Sequence, residues 1–293
     1  MIKQHHAKPI FEVHPIHGEG IIWEEHSQCI NLVDILEGQY FSIDVNAQQV
    51  RTYDVGQALG VMAHRTNGGV VVAVRDGFGL MNSVGGKMQL IEPSPEQNNP
   101  KVRFNDGAVS PDGRFFAGTM EWDGKEPIAK LFRLDSDYSW TALEDNIWIS
   151  NGIAWNVAGN QMYYIDTLTH AVAVYDYDAN TGSIRNKRTH LKFSEEEFPD
   201  GMCMDSEDGM WIAFWGLGKV AYFDQNGIRR EEVHVPLPHP TSCCLGGVDL
   251  KTLYISTSRV ALSEDQQKQY PLAGRVFVHQ ANIKGKIEPK FKG

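Results

Sequence analysis

The chain has 293 residues, 42% of them hydrophobic and 22% charged, with a formal net charge of −10. The acidic excess argues against nucleic acid or an anionic membrane as the main partner. No window approaches the roughly 18 consecutive apolar residues of a membrane-spanning helix.

Taken in chain order, residues 1–9 contain lysine and two histidines but no apolar run, so they do not read as a secretory signal. His5 and His6 make too short a pair to suggest a metal-binding tract. Gly20–Asp44 then sets a plan of apolar strand, polar turn, aromatic-rich strand and a strand ending in Asp. A weaker copy starts at Met62, and Glu92–Pro100 follows as a polar loop between units. Gly107–Asp135, Gly152–Asp178 and Gly201–Asp224 repeat the plan, and a last weak copy begins at Ser242. Asp112-Gly113, Asp208-Gly209 and Asn226-Gly227 lie between strand-like runs, a strong local hairpin signal. Leu262–Lys268 and Ser194–Glu197 offer at most single helical turns.

Six restarts at a period of roughly 40–50 residues, each with four short strands, predict an all-β, six-bladed propeller of four-stranded antiparallel blades. Residues 1–293 read as a single such domain, ahead of a β-sandwich, which needs no regular restart. Cys29, Cys203, Cys243 and Cys244 show no C-x-x-C spacing and read as reduced, strand-borne residues of a cytoplasmic protein.

In a propeller the inner strand of each blade lines a central channel, so residues at one phase of several repeats converge. Glu19 in HGEGIIW, the pair Asn105-Asp106 in RFNDGAV, Asn151 in SNGIAW and Asp200 in FPDGMCM mark four positions that each run into a glycine just before an apolar strand. Asp or Asn before Gly is also an ordinary turn residue. Four positions in phase, one of them a Glu that turns disfavour, argue instead for an oxygen-rich cage. Such donors suit calcium, magnesium or manganese better than a structural zinc site. Trp122, Trp211 and Trp215 are candidates for stacking on a sugar, although Trp211 fits inter-blade packing better. His64, His170, His234 and His239 are scattered without ligand spacing, and only His239 leads into a channel-lining strand. Ser110, Ser150 and Ser256 lack the G-x-S-x-G setting of a serine hydrolase.

HGEGIIW, RFNDGAVSPDGRFFAGTM, NGIAWN with YYIDT, FPDGMCMDSEDGMWIA and PTSCCLGG with LYISTSR together resemble the gluconolactonase, regucalcin and luciferin-regenerating enzyme family. The likeness runs in order from about residue 17 to 279. It implies a six-bladed propeller with one divalent ion in the channel, calcium first, with magnesium, manganese or zinc as alternatives. Carried over by position, the metal ligands fall on Glu19, Asn151 and Asp200, and the substrate contacts on Arg103 and Asn105. An acidic residue after AGTM completes the substrate set, Asp123 by register, with Glu121 as the other contender. Ile21 and Phe198 stand where the family usually has Pro and an aromatic that is often Tyr, differences that bear on pocket shape.

The implied activity is metal-dependent hydrolysis of a sugar lactone to the sugar acid, with Asp200 as general base. The rivals are a metal-dependent esterase for aryl esters or organophosphates, and a non-enzymatic calcium-binding propeller. The absence of an evident apolar lid speaks against the aryl-ester rival. The expected partner is a small sugar lactone, with neither nucleic acid nor membrane, and the protein is expected to be a monomer or weak dimer.

Overall fold

A computed structural model describes residues 2–293. Strands form six sheets arranged as the blades of a propeller. The inner strands, one per blade, are Gly18–Glu24, Leu59–His64, Val102–Val109, Ser150–Trp155, Phe198–Met204 and Pro240–Gly246, in blades I to VI. They fall where the repeat begins in the sequence. Within each blade the strands follow one another antiparallel toward the rim.

The ring is closed by the N-terminal segment, for which the repeat pattern gives no sign. Lys8–Ile10 pairs antiparallel with Val276–Gln280 and supplies the outermost strand of blade VI. Lys3–His6 adds to blade V as a fifth strand, parallel to Arg229–His234. The N-terminal segment is thereby held in two adjacent blades by main-chain hydrogen bonds.

The apolar core is divided among the contacts between neighbouring blades. Trp211, Ala213, Val220, Cys243, Leu253 and Phe277, for example, pack blade V against blade VI. Trp211 is 1% exposed, so its role is this packing and not sugar stacking. All four cysteines are free and buried. The one α-helix among the described residues, Glu264–Gln269, starts at Ser263 in a capping box with Gln266. Ser194–Glu197 forms a turn closed by Glu197 N–H to Ser194 O at 3.0 Å. No helix among the described residues is long and apolar enough to cross a membrane.

The inner strands share a detail that positions the site. Each breaks register with its neighbour at the same phase: between Glu19 and Ile22, Leu59 and Val61, Phe104 and Asp106, Ser150 and Ile153, Pro199 and Met202, and Pro240 and Cys243. A bulge leaves an extra residue unpaired and re-aims its side chain. Glu19, Asn105, Asn151 and Asp200 all sit at these irregularities. Blades II and VI have Gly60 and Thr241 there, with no acidic group.

Candidate active site in the channel mouth

Glycines beside the bulges let the inner strands approach closely. A Cβ on Gly152 would lie 2.9 Å from Met202 N and 3.0 Å from the Asp200 carbonyl oxygen. A Cβ on Gly201 would fall 2.3 Å from Ser242 Oγ. The dipeptides Asn151-Gly152 and Asp200-Gly201 therefore each combine a polar side chain for the channel with the small residue that brings the next blade near.

Glu19, Arg103, Asn105, Asn151 and Asp200 line one cavity of about 600 Å³ at the channel mouth. All five are buried, with exposures of 2–5%. A chain of hydrogen bonds fixes them. Arg103 Nη1 donates to Asn105 Oδ1 at 2.6 Å, and Asn105 Nδ2 donates to Asn151 Oδ1 at 3.0 Å and to Ser150 O at 2.8 Å. Asn151 Nδ2 donates to Thr167 Oγ1 at 2.7 Å, and that hydroxyl donates to Pro199 O at 2.8 Å, beside Asp200. The amide planes are thus set, leaving Asn151 Oδ1 one lone pair for a ligand.

Charge at the mouth is not balanced. Burial and the neighbouring Asp200 and Asp106 push the Glu19 carboxyl well above its usual range. Asp200 is likewise raised by burial and by Asp106, and Asp106, one layer deeper, is pushed up to about 6 by burial. Arg103 is the one basic side chain that offsets Glu19 and Asp200, and burial lowers it to about 10. Asp200 Oδ1 and Arg103 Nε are buried without a hydrogen-bond partner. Buried carboxylates with an orphaned oxygen and an amide oxygen turned the same way form a donor set that a hard divalent cation would satisfy.

The two acidic contenders after AGTM are differently placed. Asp123 lines the cavity, and its Oδ2 meets Lys125 Nζ at 2.9 Å. Glu121 faces its own turn, where Oε2 accepts the N–H groups of Asp123 at 3.1 Å and Lys125 at 2.9 Å. Trp122 also lines the cavity, with the Arg103 guanidinium 5.5 Å from its ring centre.

Several lining residues escape sequence reasoning. His17 is buried, bonds through Nδ1 to Ser258 Oγ at 2.9 Å, and is lowered to about 3 by burial, Arg103 and His239. It is therefore a neutral imidazole. The available signal was its spacing, two residues before Glu19 in extended chain, which puts both on one face. Trp215, a stacking candidate from the sequence, does line the wall, and it stacks on His239 with ring centres 4.0 Å apart. Leu36, Ile149, Leu168 and Val260, which the sequence reading does not anticipate, join Phe198, which it ties to pocket shape, in an apolar wall. These residues share no common phase of the repeat.

The family model described as SMP-30/Gluconolactonase/LRE-like region matches residues 17–259. Regucalcin of Danio rerio is 35% identical over 273 residues, 92% of each chain. A Bacillus subtilis protein provisionally named sugar lactone lactonase YvrE is 31% identical over 280 residues, covering 94% of this chain and 95% of that protein. Among solved structures, a calcium-binding protein, regucalcin, from Agrobacterium tumefaciens superposes with a TM-score of 0.94. That likeness covers 100% of this chain and 99% of the other at 23% identity, and it speaks for the fold.

Proposed function

The chain belongs to the SMP-30/gluconolactonase/LRE-like family, and from that premise we propose that it hydrolyses the ring ester of a sugar lactone using one divalent ion. The ion is held by Glu19, Asn151 and Asp200, with calcium the first choice. The observation that carries this reading is the unbalanced cluster of buried carboxylates, with its orphaned Asp200 oxygen, on the wall of a cavity the size of a small sugar.

When bound, the ion supplies positive charge that polarises the ring carbonyl and offsets the charge that develops on its oxygen. Asp200 takes a proton from the attacking water, whose oxygen bonds to the carbonyl carbon. The ring C–O bond then breaks, and the ring oxygen leaves as a hydroxyl after gaining a proton. Arg103 presents its guanidinium donors to ring hydroxyls. Both bonds from Asn105 Nδ2 are already committed to Ser150 O and Asn151 Oδ1. Asn105 therefore acts mainly by orienting Arg103 and Asn151, with a lone pair of Oδ1 left for substrate. Asp123 accepts a hydroxyl at the rim, and Glu121 shapes the turn that presents it.

The apolar wall of Leu36, Ile149, Leu168, Phe198 and Val260 favours a second reading. In that reading the same machinery cleaves an ester with an apolar acyl or aryl group. One experiment separates the two: EDTA-treated protein is assayed on aldonolactones and aryl esters, with calcium, magnesium, manganese and zinc restored singly. Aldonolactone turnover that requires a restored ion supports the proposal. Faster turnover of aryl esters supports the second reading, and failure to turn over either class with any ion refutes both.

A further inference from the structure

On the flank of the ring, at the outer strands of blades V and VI, a second group of ligand-type side chains comes together. We propose that His5, Glu231 and His279 bind one divalent transition-metal ion, zinc in the first instance, and that this ion fastens the N-terminal strand to both blades.

The three residues arrive from three separate strands. Parallel pairing of Lys3–His6 with Arg229–His234 sets Lys3 beside Glu231 and His5 beside Val233. His279 lies on Val276–Gln280, the strand that Lys8–Ile10 covers. The two imidazole rings stand 4.6 Å apart centre to centre. His5 Nε2 is 3.6 Å from Glu231 Oε2, and one ligand atom from each of the three residues lies within 4.8 Å of the others. A tetrahedral ion with bonds of about 2.0–2.1 Å separates its ligands by about 3.3 Å, so small rotations of the side chains complete the site. Among the described residues this is the one group of three His, Cys, Asp or Glu side chains so arranged.

The hydrogen bonding points the same way. Glu231 is 6% exposed, yet its Oε2 has no partner, and neither does His5 Nε2 or His279 Nε2. Three buried polar atoms facing one another unpaired are costly, and one cation satisfies all of them. Lys3 Nζ holds the other carboxylate oxygen at 3.1 Å, which leaves Oε2 turned toward the imidazoles. Two imidazoles and one carboxylate select zinc or a neighbouring transition metal over calcium or magnesium. The channel mouth, with oxygen donors alone, has the opposite preference. The fourth coordination position opens beside His5, whose side chain is 30% exposed, and takes water.

Cobalt(II) is the probe, because protein imidazole ligation in a four- or five-coordinate site gives it visible ligand-field absorption. EDTA-treated full-length protein should develop this band at one equivalent. His5→Gln and His279→Gln should lose it, and Asp200→Asn should retain it. Zinc at about a hundred times its Kd should raise Tm by about 5 °C in the wild type and leave His5→Gln unshifted. His5→Gln is the decisive variant, since His5 is partly exposed on an added strand and its loss leaves the blades intact. An unchanged cobalt spectrum in His5→Gln, or an equal zinc shift in that variant, would overturn the proposal. So would a wild type that takes up no cobalt with visible absorption, which would leave an ion pair between His5 and Glu231.

Discussion

The two ends of the central channel are built differently. At the mouth, burial raises the Glu19 and Asp200 carboxyls, Asp106 in the layer beneath adds to both shifts, Arg103 is the basic group in reach, and a cavity of about 600 Å³ opens above them. At the far end, Lys286–Lys290 crosses the channel and leaves about 210 Å³ between itself and the inner strands. There Lys290 Nζ meets Glu24 at 2.7 Å, and Lys286 donates to Trp155 O. Burial alone would raise the Glu24 carboxyl, but hydrogen bonds from Lys290 and Ser27 bring it down to about 2. Phe291 is fully buried next to Phe115, and Arg65 Nε donates to Gly293 O at 2.9 Å. At this end each lysine of the crossing segment has an acceptor within the chain, although burial raises the Glu288 carboxyl on the same segment. At the mouth the Asp200 Oδ1 has no partner within the chain, and on the proposed reading a bound cation supplies it.

Substitutions can break this contrast, and the largest effect is expected at Asp200. Asp200→Ala removes the proposed ligand and base together, and should lower kcat/KM for the best lactone by about 10³-fold or more. Asp200→Asn should be nearly as impaired. Near-normal turnover in Asp200→Ala with intact metal content would separate this residue from the chemistry. At the closed end, Phe291→Ala should cost about 3–5 kcal/mol in urea unfolding while leaving kcat/KM unchanged. A matching loss of activity would show that the seal and the mouth are coupled.

Smaller effects sharpen the picture of the mouth. Arg103→Lys should reduce kcat/KM by roughly 10- to 100-fold, because a point charge cannot reproduce the planar fork of donors. Calcium affinity measured by calorimetry should hardly change, and an equal loss there would make Arg103 a support for the ligand strands. The smallest difference is expected at the rim. Asp123→Asn should lose about tenfold in kcat/KM, as for one hydrogen bond from a charged group, and Glu121→Gln should lose less. The reverse order would transfer the substrate contact to Glu121.

What the sequence discloses follows from how each feature is encoded. The blades are legible because most inner strands restart with the same local device, a polar residue and a small one at a bulge, as in Asn151-Gly152 and Asp200-Gly201. The same device marks the residues that reach the mouth, so Glu19, Asn105, Asn151 and Asp200 stand out from the amino-acid pattern alone. Ring closure by Lys8–Ile10 is hidden, because a three-residue strand has no periodicity and its partner lies at the other end of the chain. The apolar wall is hidden for a related reason: Leu36, Leu168 and Val260 lie in connections that differ from blade to blade. His5 and His279 meet only through strand pairing at the rim, and their spacing in the chain conveys nothing.

The claim that a cation completes the mouth is tested most directly by the calcium-dependent change in Tm, followed from pH 4.5 to 7 on EDTA-treated protein. Acids with raised folded-state pKa values, such as Asp106 at about 6, hold protons in the native state that the unfolded chain has already released. Without an ion they therefore contribute a loss of stability as pH rises through this window. Glu24, lowered to about 2, contributes nothing that changes here, and groups distant from the mouth cancel when curves with and without calcium are subtracted. Calcium competes with those protons, so its stabilisation should be small at pH 4.5, grow to its full extent by pH 7, and vanish in Asp200→Asn. A calcium shift that is absent at every pH, or that survives undiminished in Asp200→Asn, would contradict the account.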